Sequence, residues 1–302
     1  MKYAIGIDGG GSKTAFLLGT EHEILAQTVK SGCSYLEIGV ENVLSLLQEG
    51  INECLAQANI EKCDICCIGL PCFGENKEMD ELLKEKVTKT FAPMEVILVN
   101  DAVVGWAGSL ECQEGIHLVA GTGSLAIGKG NSEKFARSGG WNEFFSDEGS
   151  CYWVGREGMN LFSKQADGRL EKGPLYYFVK ETYQLQDDFE FIDVVLQKIA
   201  PYRDQVASFQ RIVLKAAEAQ DASAQHLYVR AAEELVQMVL SVKEQLNWSS
   251  EVVDVSIYGG LTHAGNYLLD PLSQMLSIHN CVLHKPRRTP AEGALLLALK
   301  HE

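Results

Sequence analysis

Asp8-Gly9-Gly10-Gly11-Ser12-Lys13-Thr14 stands between two apolar runs, Tyr3-Ala4-Ile5-Gly6-Ile7 before it and Ala15-Phe16-Leu17-Leu18 after it. Short apolar runs split by a glycine cluster predict two strands, over residues 3–8 and 14–19, joined by a tight turn. Three glycines let the backbone turn sharply and present unobstructed N–H groups to an anion. An acid ending the strand can hold a Mg²⁺ ion directly or through water. These are the needs of a nucleoside triphosphate. The P-loop does not fit, because Ser12 separates Gly11 from Lys13 and a strand follows where a helix should begin. Read without further context, the segment is also compatible with an ordinary hairpin whose glycines serve only the turn.

The same pattern returns later in the chain. Gly121-Thr122-Gly123-Ser124 follows a second apolar run, and its four positions keep a constant offset from Gly9-Gly10-Gly11-Ser12. With Leu125 and Ala126 it satisfies the dinucleotide fingerprint formally, but residues 125–129 read as a strand, so that fingerprint loses its context. Two Gly-rich hairpin turns, one in each half, are expected to face one another across a cleft and clamp phosphates from both sides.

Periodicity fills in the rest. After a third strand over 23–28, Val40, Val43, Leu44, Leu47, Ile51, Cys54 and Leu55 recur at helical spacing, which predicts an amphipathic helix covering a sheet. Strands over 65–69 and 95–100 alternate with helices. Three more strands over 115–120, 125–129 and 134–138 restart the order, and a mainly helical insertion over about 148–248 precedes a last strand-helix-strand-helix run ending near 300. The expected fold class is α/β: a duplicated βββαβαβα unit with mixed sheets, as a first domain over 1–111 and a second over 112–302.

Composition bounds the function. The chain has 302 residues, 46% hydrophobic and 22% charged, which suits a folded protein with its own core. A formal charge of −15 disfavours a phosphate backbone or an anionic membrane surface as partner, so neither nucleic acid nor membrane is expected. No apolar run reaches membrane-spanning length, and Asp8 falls where a signal peptide would keep its apolar centre. Nine cysteines suit free thiols in a reducing cytoplasm. Cys63-Asp64-Ile65-Cys66-Cys67 contains a Cys-x-x-Cys, but Cys66 and Cys67 alternate on a buried strand and point to opposite faces, so they read as structural.

Asp101 follows the strand Val96-Ile97-Leu98-Val99 and Asn100. Phosphoryl transfer needs positioning, charge neutralisation and a base beside the attacking hydroxyl, and an Asp facing the cleft would be that base. The same residue could cap a helix starting at Ala102. Asp147-Glu148-Gly149-Ser150 likewise reads either as a helix start capped by Ser146 or Asp147, or, with Gly139-Gly140-Trp141 upstream, as part of a carbohydrate pocket.

Together, Gly6-Ile7-Asp8-Gly9-Gly10-Gly11-Ser12-Lys13-Thr14, Asn100-Asp101-Ala102, Ala120-Gly121-Thr122-Gly123-Ser124, Gly139-Gly140-Trp141, Asp147-Glu148-Gly149-Ser150, Gly259-Gly260 and Pro290-Ala291-Glu292-Gly293-Ala294 resemble the N-acetylglucosamine kinase and BadF/BadG/BcrA/BcrD ATPase group of the actin and hexokinase superfamily. The resemblance spans the whole chain. It implies two ribonuclease H-like domains with ATP between them, and a last helix, about 290–302, packed back onto the first domain. It implies Asp8 as the acid linked to Mg²⁺, and Gly9, Gly10, Gly11, Ser12, Lys13, Thr14, Gly121, Thr122, Gly123 and Ser124 around the phosphates, with Gly259 and Gly260 under the nucleoside. On the acceptor side it implies Ser34, Asn100, Asp101, Gly140, Trp141, Asp147 and Glu148 against a small-molecule sugar.

Ser34 and Leu36 stand where animal N-acetylglucosamine kinases have Asn and Trp, and Leu125 where they have Asn, so the identity of the sugar is not inherited. The expected activity is ATP-dependent phosphorylation of an amino sugar of the N-acetylglucosamine or glucosamine type, by a cytoplasmic protein for which a homodimer is admitted. The alternatives are an ATPase activator of a radical CoA-ester dehydratase or reductase, for which only Cys112 and Cys151 offer cluster ligands in the second half, and a catalytically silent sugar sensor.

Overall fold

The computed structural model describes residues 2–130, 134–248 and 251–301. The chain divides into two units: Met1–His117 together with Pro286–Glu302, and Leu118–Lys285.

The first unit runs β1 (Ala4–Gly9), β2 (Lys13–Gly19), β3 (Ile24–Ser31), α1 (Tyr35–Ile38), α2 (Val40–Ala58), β4 (Ile65–Leu70), α3 (Lys77–Phe91), β5 (Glu95–Asn100) and α4 (Asp101–Leu110). Its sheet has the order β3-β2-β1-β4-β5. The hairpins β1–β2 and β2–β3 are antiparallel, while β1, β4 and β5 run parallel. Parallel strands covered on both faces must be apolar on both faces. Ile65-Cys66-Cys67-Ile68-Gly69-Leu70 accordingly is buried at every position. The register aligns Asp8 with Gly69, and Gly69 with Val99, two residues before Asp101. Both carboxylates are thereby brought to the carboxyl end of the parallel strands.

Two cores sandwich this sheet. On one face Val43, Leu47, Ile51 and Cys54 of α2 pack with Ile5, Ile7 and Cys66. The other face carries Ala4, Leu17, Ile65 and Cys67, and the last helix of the chain covers it with Ala291, Ala294, Leu295 and Ala298. Cys66 and Cys67 thus belong to opposite faces, as alternation requires, and all nine cysteines are free. The closing helix lies so near β1 that a methyl on Gly6 would run into the backbone nitrogen of Leu295.

The second unit contains β6 (Gly115–Ala120, whose first residues precede the boundary), β7 (Ser124–Lys129), β8 (Phe135–Gly139), α5 (Cys151–Ala166), α6 (Pro174–Tyr183), α7 (Glu190–Val194), α8 (Arg203–Ser208), α9 (Gln210–Glu218), α10 (Ala222–Gln245), β9 (Val253–Tyr258), α11 (Asn266–Ile278) and β10 (Cys281–His284). The chain then returns to the first unit through α12 (Pro290–Lys300), the closing helix just described. Thr289 and Glu292 form a capping box at its start, with Pro290 in its first turn. Read from β8, the second sheet has the order β8-β7-β6-β9-β10, which repeats β3-β2-β1-β4-β5 element for element. The duplication expected from the two Gly-rich turns is therefore a duplication of topology. The insertion proves to be six helices with a π-helical turn over Val195–Ile199. Within it α10 buries Leu227, Ala231, Leu235, Val239 and Val242, a stripe at spacings of three and four. No helix among the described residues is long and apolar enough to cross a membrane.

Candidate active site

In the first unit the Gly-rich turn closes by one backbone bond, Gly10 N–H to Lys13 O at 2.9 Å. Beneath it passes the segment leaving β3. Cys33 N–H donates to Gly10 O (3.0 Å), the Thr14 hydroxyl donates to Ser31 O (2.8 Å), and Gly32 lies against the Gly11–Ser12 peptide so closely that a methyl would collide with the Gly11 carbonyl. This strap fixes the underside of the turn and leaves its tip open: Gly11, Ser12 and Lys13 are exposed, with nothing near the Cα of Gly11 on the side-chain face.

Asp8 ends β1 beside this turn. Its carboxyl is pushed up to about 6, first by burial, then by the negative charge of Asp101, against a smaller opposing pull from Lys13. Asp8 and Asp101 therefore share one poorly solvated region. Asp101 occupies the first turn of α4, where the helix dipole favours a negative charge, and its Oδ1 accepts from Ala102 N–H at 2.9 Å. Asp8, at the foot of the open turn, suits Mg²⁺, which usually takes one or two carboxylates and leaves its remaining positions to water and substrate phosphates.

In the second unit the turn closes by Gly121 N–H to Gly123 O (2.9 Å). The first amides of α5 do not face outward: Cys151 N–H donates to Gly121 O (2.9 Å) and Tyr152 N–H to Thr122 O (3.2 Å), tying the helix to the turn. Gly259, at φ 126°, lies on the Ala120–Gly121 peptide with no room for a Cβ, and begins a short 3₁₀ turn, Gly260–Ala264. The two Gly-rich features of this unit are thus in contact.

Several residues expected to meet ligand also have partners within the protein. Thr14 is fully buried and its hydroxyl is given to Ser31 O. Ser124 is buried, donating its hydroxyl to Glu148 O (2.6 Å) and its amide to Asp147 Oδ1 (3.3 Å). Asn100, not Asp101, is the N-cap of α4: its Oδ1 accepts from Ala102 N–H (3.0 Å) while its amide donates to Phe73 O (2.8 Å). These three side chains hold the turns and strand ends in place. Asp147 differs most from expectation. It does not cap α5, since Ser150 does, accepting from Trp153 N–H at 3.1 Å. Buried at φ 62°, it sits at the foot of the Gly121–Ser124 turn, where Oδ2 accepts from Arg203 Nη2 at 2.8 Å. Ser34, just before α1, is buried, whereas Leu36 is exposed. Glu148 Oε2 accepts from the Ser146 hydroxyl (3.3 Å), the Gly140 carbonyl accepts from Arg137 Nη2 (2.5 Å), and Trp141 is 79% exposed.

Two features carry no motif and escape sequence reading. The Ser31–Cys33 strap could have been suspected only from Gly32 at the end of a strand. Arg203 lies in the helical insertion, remote in sequence from the turn it reaches.

Two five-stranded α/β units of one strand order, each with a Gly-rich hairpin turn after its first strand, make up a duplicated ribonuclease H-like fold. The chain belongs to the BadF/BadG/BcrA/BcrD ATPase family, whose model matches residues 5–298. It is 31% identical to the N-acetylmuramic acid/N-acetylglucosamine kinase of Clostridium acetobutylicum, over 99% of this chain and 98% of that protein. It is 26% identical to the N-acetyl-D-glucosamine kinase of Dictyostelium discoideum, over 98% and 97% of the two chains. Among solved structures, one assigned as an N-acetylglucosamine kinase from Chromobacterium violaceum superposes with a TM-score of 0.77 at 24% identity, covering 98% of this chain and 99% of that one. That likeness speaks to the fold.

Proposed function

We propose that the chain is an ATP-dependent amino sugar kinase, with an N-acetylated hexosamine of the N-acetylglucosamine type as acceptor, acting in the cytoplasm. The observation that carries the reading is the carboxylate pair at the carboxyl ends of β1 and β5: Asp8 beside an open Gly-rich turn, its carboxyl raised to about 6 first by burial and then by the charge of Asp101. The full-length similarity to kinases of N-acetylglucosamine and N-acetylmuramic acid supports the choice of acceptor.

In this reading each Gly-rich turn is a phosphate-binding element of its own unit, offering backbone amide N–H groups to phosphate oxygens. The Gly259–Gly260 turn supplies a surface without side chains for the nucleoside. Mg²⁺, held by Asp8 directly or through water, would neutralise phosphate charge. Asp101 accepts the proton of the attacking sugar hydroxyl. Asn100 orients it by capping α4, and the strap beneath the first turn keeps the amides aimed. Trp141 is largely exposed, and in this reading its ring lies on an apolar face of the sugar. The full-length relatives named above are sugar kinases, which favours phosphoryl transfer to a sugar over the activator alternative.

Coupled ADP release over a panel including N-acetylglucosamine, glucosamine, N-acetylmuramic acid and glucose tests the reading, with Asp101→Asn beside the wild type. N-acetylglucosamine should stimulate release. The variant should lose about a hundredfold or more in kcat with ATP affinity nearly unchanged. An absence of stimulation by every sugar would defeat the proposal.

A further inference from the structure

Arg203 is the unassigned charge at the second turn. It opens α8, a helix held firmly on α5: a methyl on Gly155 would collide with the Val206 carbonyl, and α5 is itself tied to the turn through Gly121 and Thr122. The guanidinium is consequently brought over the turn, with Nη2 at 2.8 Å from the position a Cβ on Gly123 would occupy. Any side chain at 123 would displace it.

Two acids hold this guanidinium, and they are unequal. Asp147 is almost wholly buried and bonded at 2.8 Å. Glu143 is more exposed and lies at 3.4 Å from Nε, the geometry of a surface pair worth little in water. The side chain of Arg203 is 47% exposed. Asp147 holds Nη2, whereas Glu143 holds Nε only loosely, so the Nε–H can change partner while the first bond is kept. A guanidinium N–H makes a strong, charge-assisted hydrogen bond to a phosphate oxygen.

We propose that Arg203 contacts the terminal phosphate of the nucleotide at the Gly121–Ser124 turn, keeping Asp147 and exchanging Glu143 for phosphate oxygen. The inference rests on the reading of this turn as a phosphate site. It assigns opposite roles to two neighbours: Arg203 adds to triphosphate affinity, and Glu143 competes with the triphosphate for the guanidinium.

The test is calorimetric titration with Mg²⁺-AMPPNP and with Mg²⁺-ADP, on wild type, Arg203→Gln, Arg203→Lys, Glu143→Gln and the Arg203→Gln/Glu143→Gln double variant. A charge-assisted contact to the third phosphate predicts that Arg203→Gln weakens AMPPNP by about tenfold or more and ADP by no more than about threefold. Arg203→Lys should fall between. Glu143→Gln should tighten AMPPNP by a few-fold, and that gain should vanish in the double variant. A purely structural arginine, acting only by steadying Asp147, would weaken both nucleotides alike or neither, and would leave the effect of Glu143→Gln independent of residue 203; either result overturns the proposal. Thermal midpoints without nucleotide show whether Arg203→Gln is folded, and Arg203→Lys with Glu143→Gln decides the question if it is not. Wild type that binds neither nucleotide defeats the phosphate reading and this inference together, whereas wild type that binds both, with variants indistinguishable from it, defeats this inference alone.

Discussion

The role proposed for Asp8 is set against the stability of its own unit. Burial and the neighbouring Asp101 charge raise its carboxyl to about 6, so the folded state binds the proton more tightly than the unfolded chain. The stability contributed is fully present below the ordinary carboxylate range and is lost as the pH rises through about 6. At neutral pH the ionised form costs on the order of 2 kcal/mol. Asp8→Asn should therefore raise the nucleotide-free thermal midpoint by a few degrees at pH 7.5, with the difference shrinking towards pH 4, while sugar phosphorylation is lost. His117 works the other way. Burial lowers its pKa to about 4, so its contribution is lost as the pH falls from the ordinary histidine range. Subtracting variant from wild type at each pH removes that common background. Equal midpoints at pH 7.5 would mean that Asp8 is not electrostatically stressed in the folded chain.

At the scale of elements, the turns are shaped by what lies under them. Gly32 touches the Gly11–Ser12 peptide, and Gly32→Ala would push it outward without adding anything to a ligand surface. Overpacking of this kind typically amounts to about 1–3 kcal/mol. Expressed in kinetics, the KM for ATP should rise about tenfold or more while the KM for the sugar stays within a factor of about two. Initial-rate measurements with each substrate varied check this, and an unchanged ATP dependence would show that the strap does not shape the turn.

The strands themselves were plain in the sequence. Ile5, Ile7, Phe16 and Leu18 alternate or cluster as buried strand residues must, and the repeated Gly-rich turns announced two related halves. What periodicity does not encode is which polar side chains are already spoken for. Asn100, Thr14, Ser124 and Asp147 looked like ligand-facing groups because their types and positions suit phosphate or sugar. Each also has a protein partner, since a polar group shut away from water without one would cost stability. Only the folded chain shows those partners, because Phe73, Ser31, Glu148 and Arg203 are brought to them by tertiary contact.

At the scale of the molecule, the first unit is completed by residues from both ends of the chain. α12 supplies Ala291, Ala294, Leu295 and Ala298 to the face of β1 and β4 that carries Ala4, Ile65 and Cys67. Ending the chain at Lys285 should uncover that face. The expected result is early protease cleavage within residues 2–117, while fragments of 118–285 persist; equal resistance of the first unit in full-length and shortened chains would contradict the role given to α12.

The same arrangement has a consequence for folding. Residues 290–300 cover strands that begin at Ala4, so this contact closes a loop spanning nearly every described residue. Contacts between segments so far apart in sequence carry the largest loop-closure cost and slow the search for the native state. One face of the first sheet therefore stays unsealed until α12 docks, whatever the pace at which the local hairpins form.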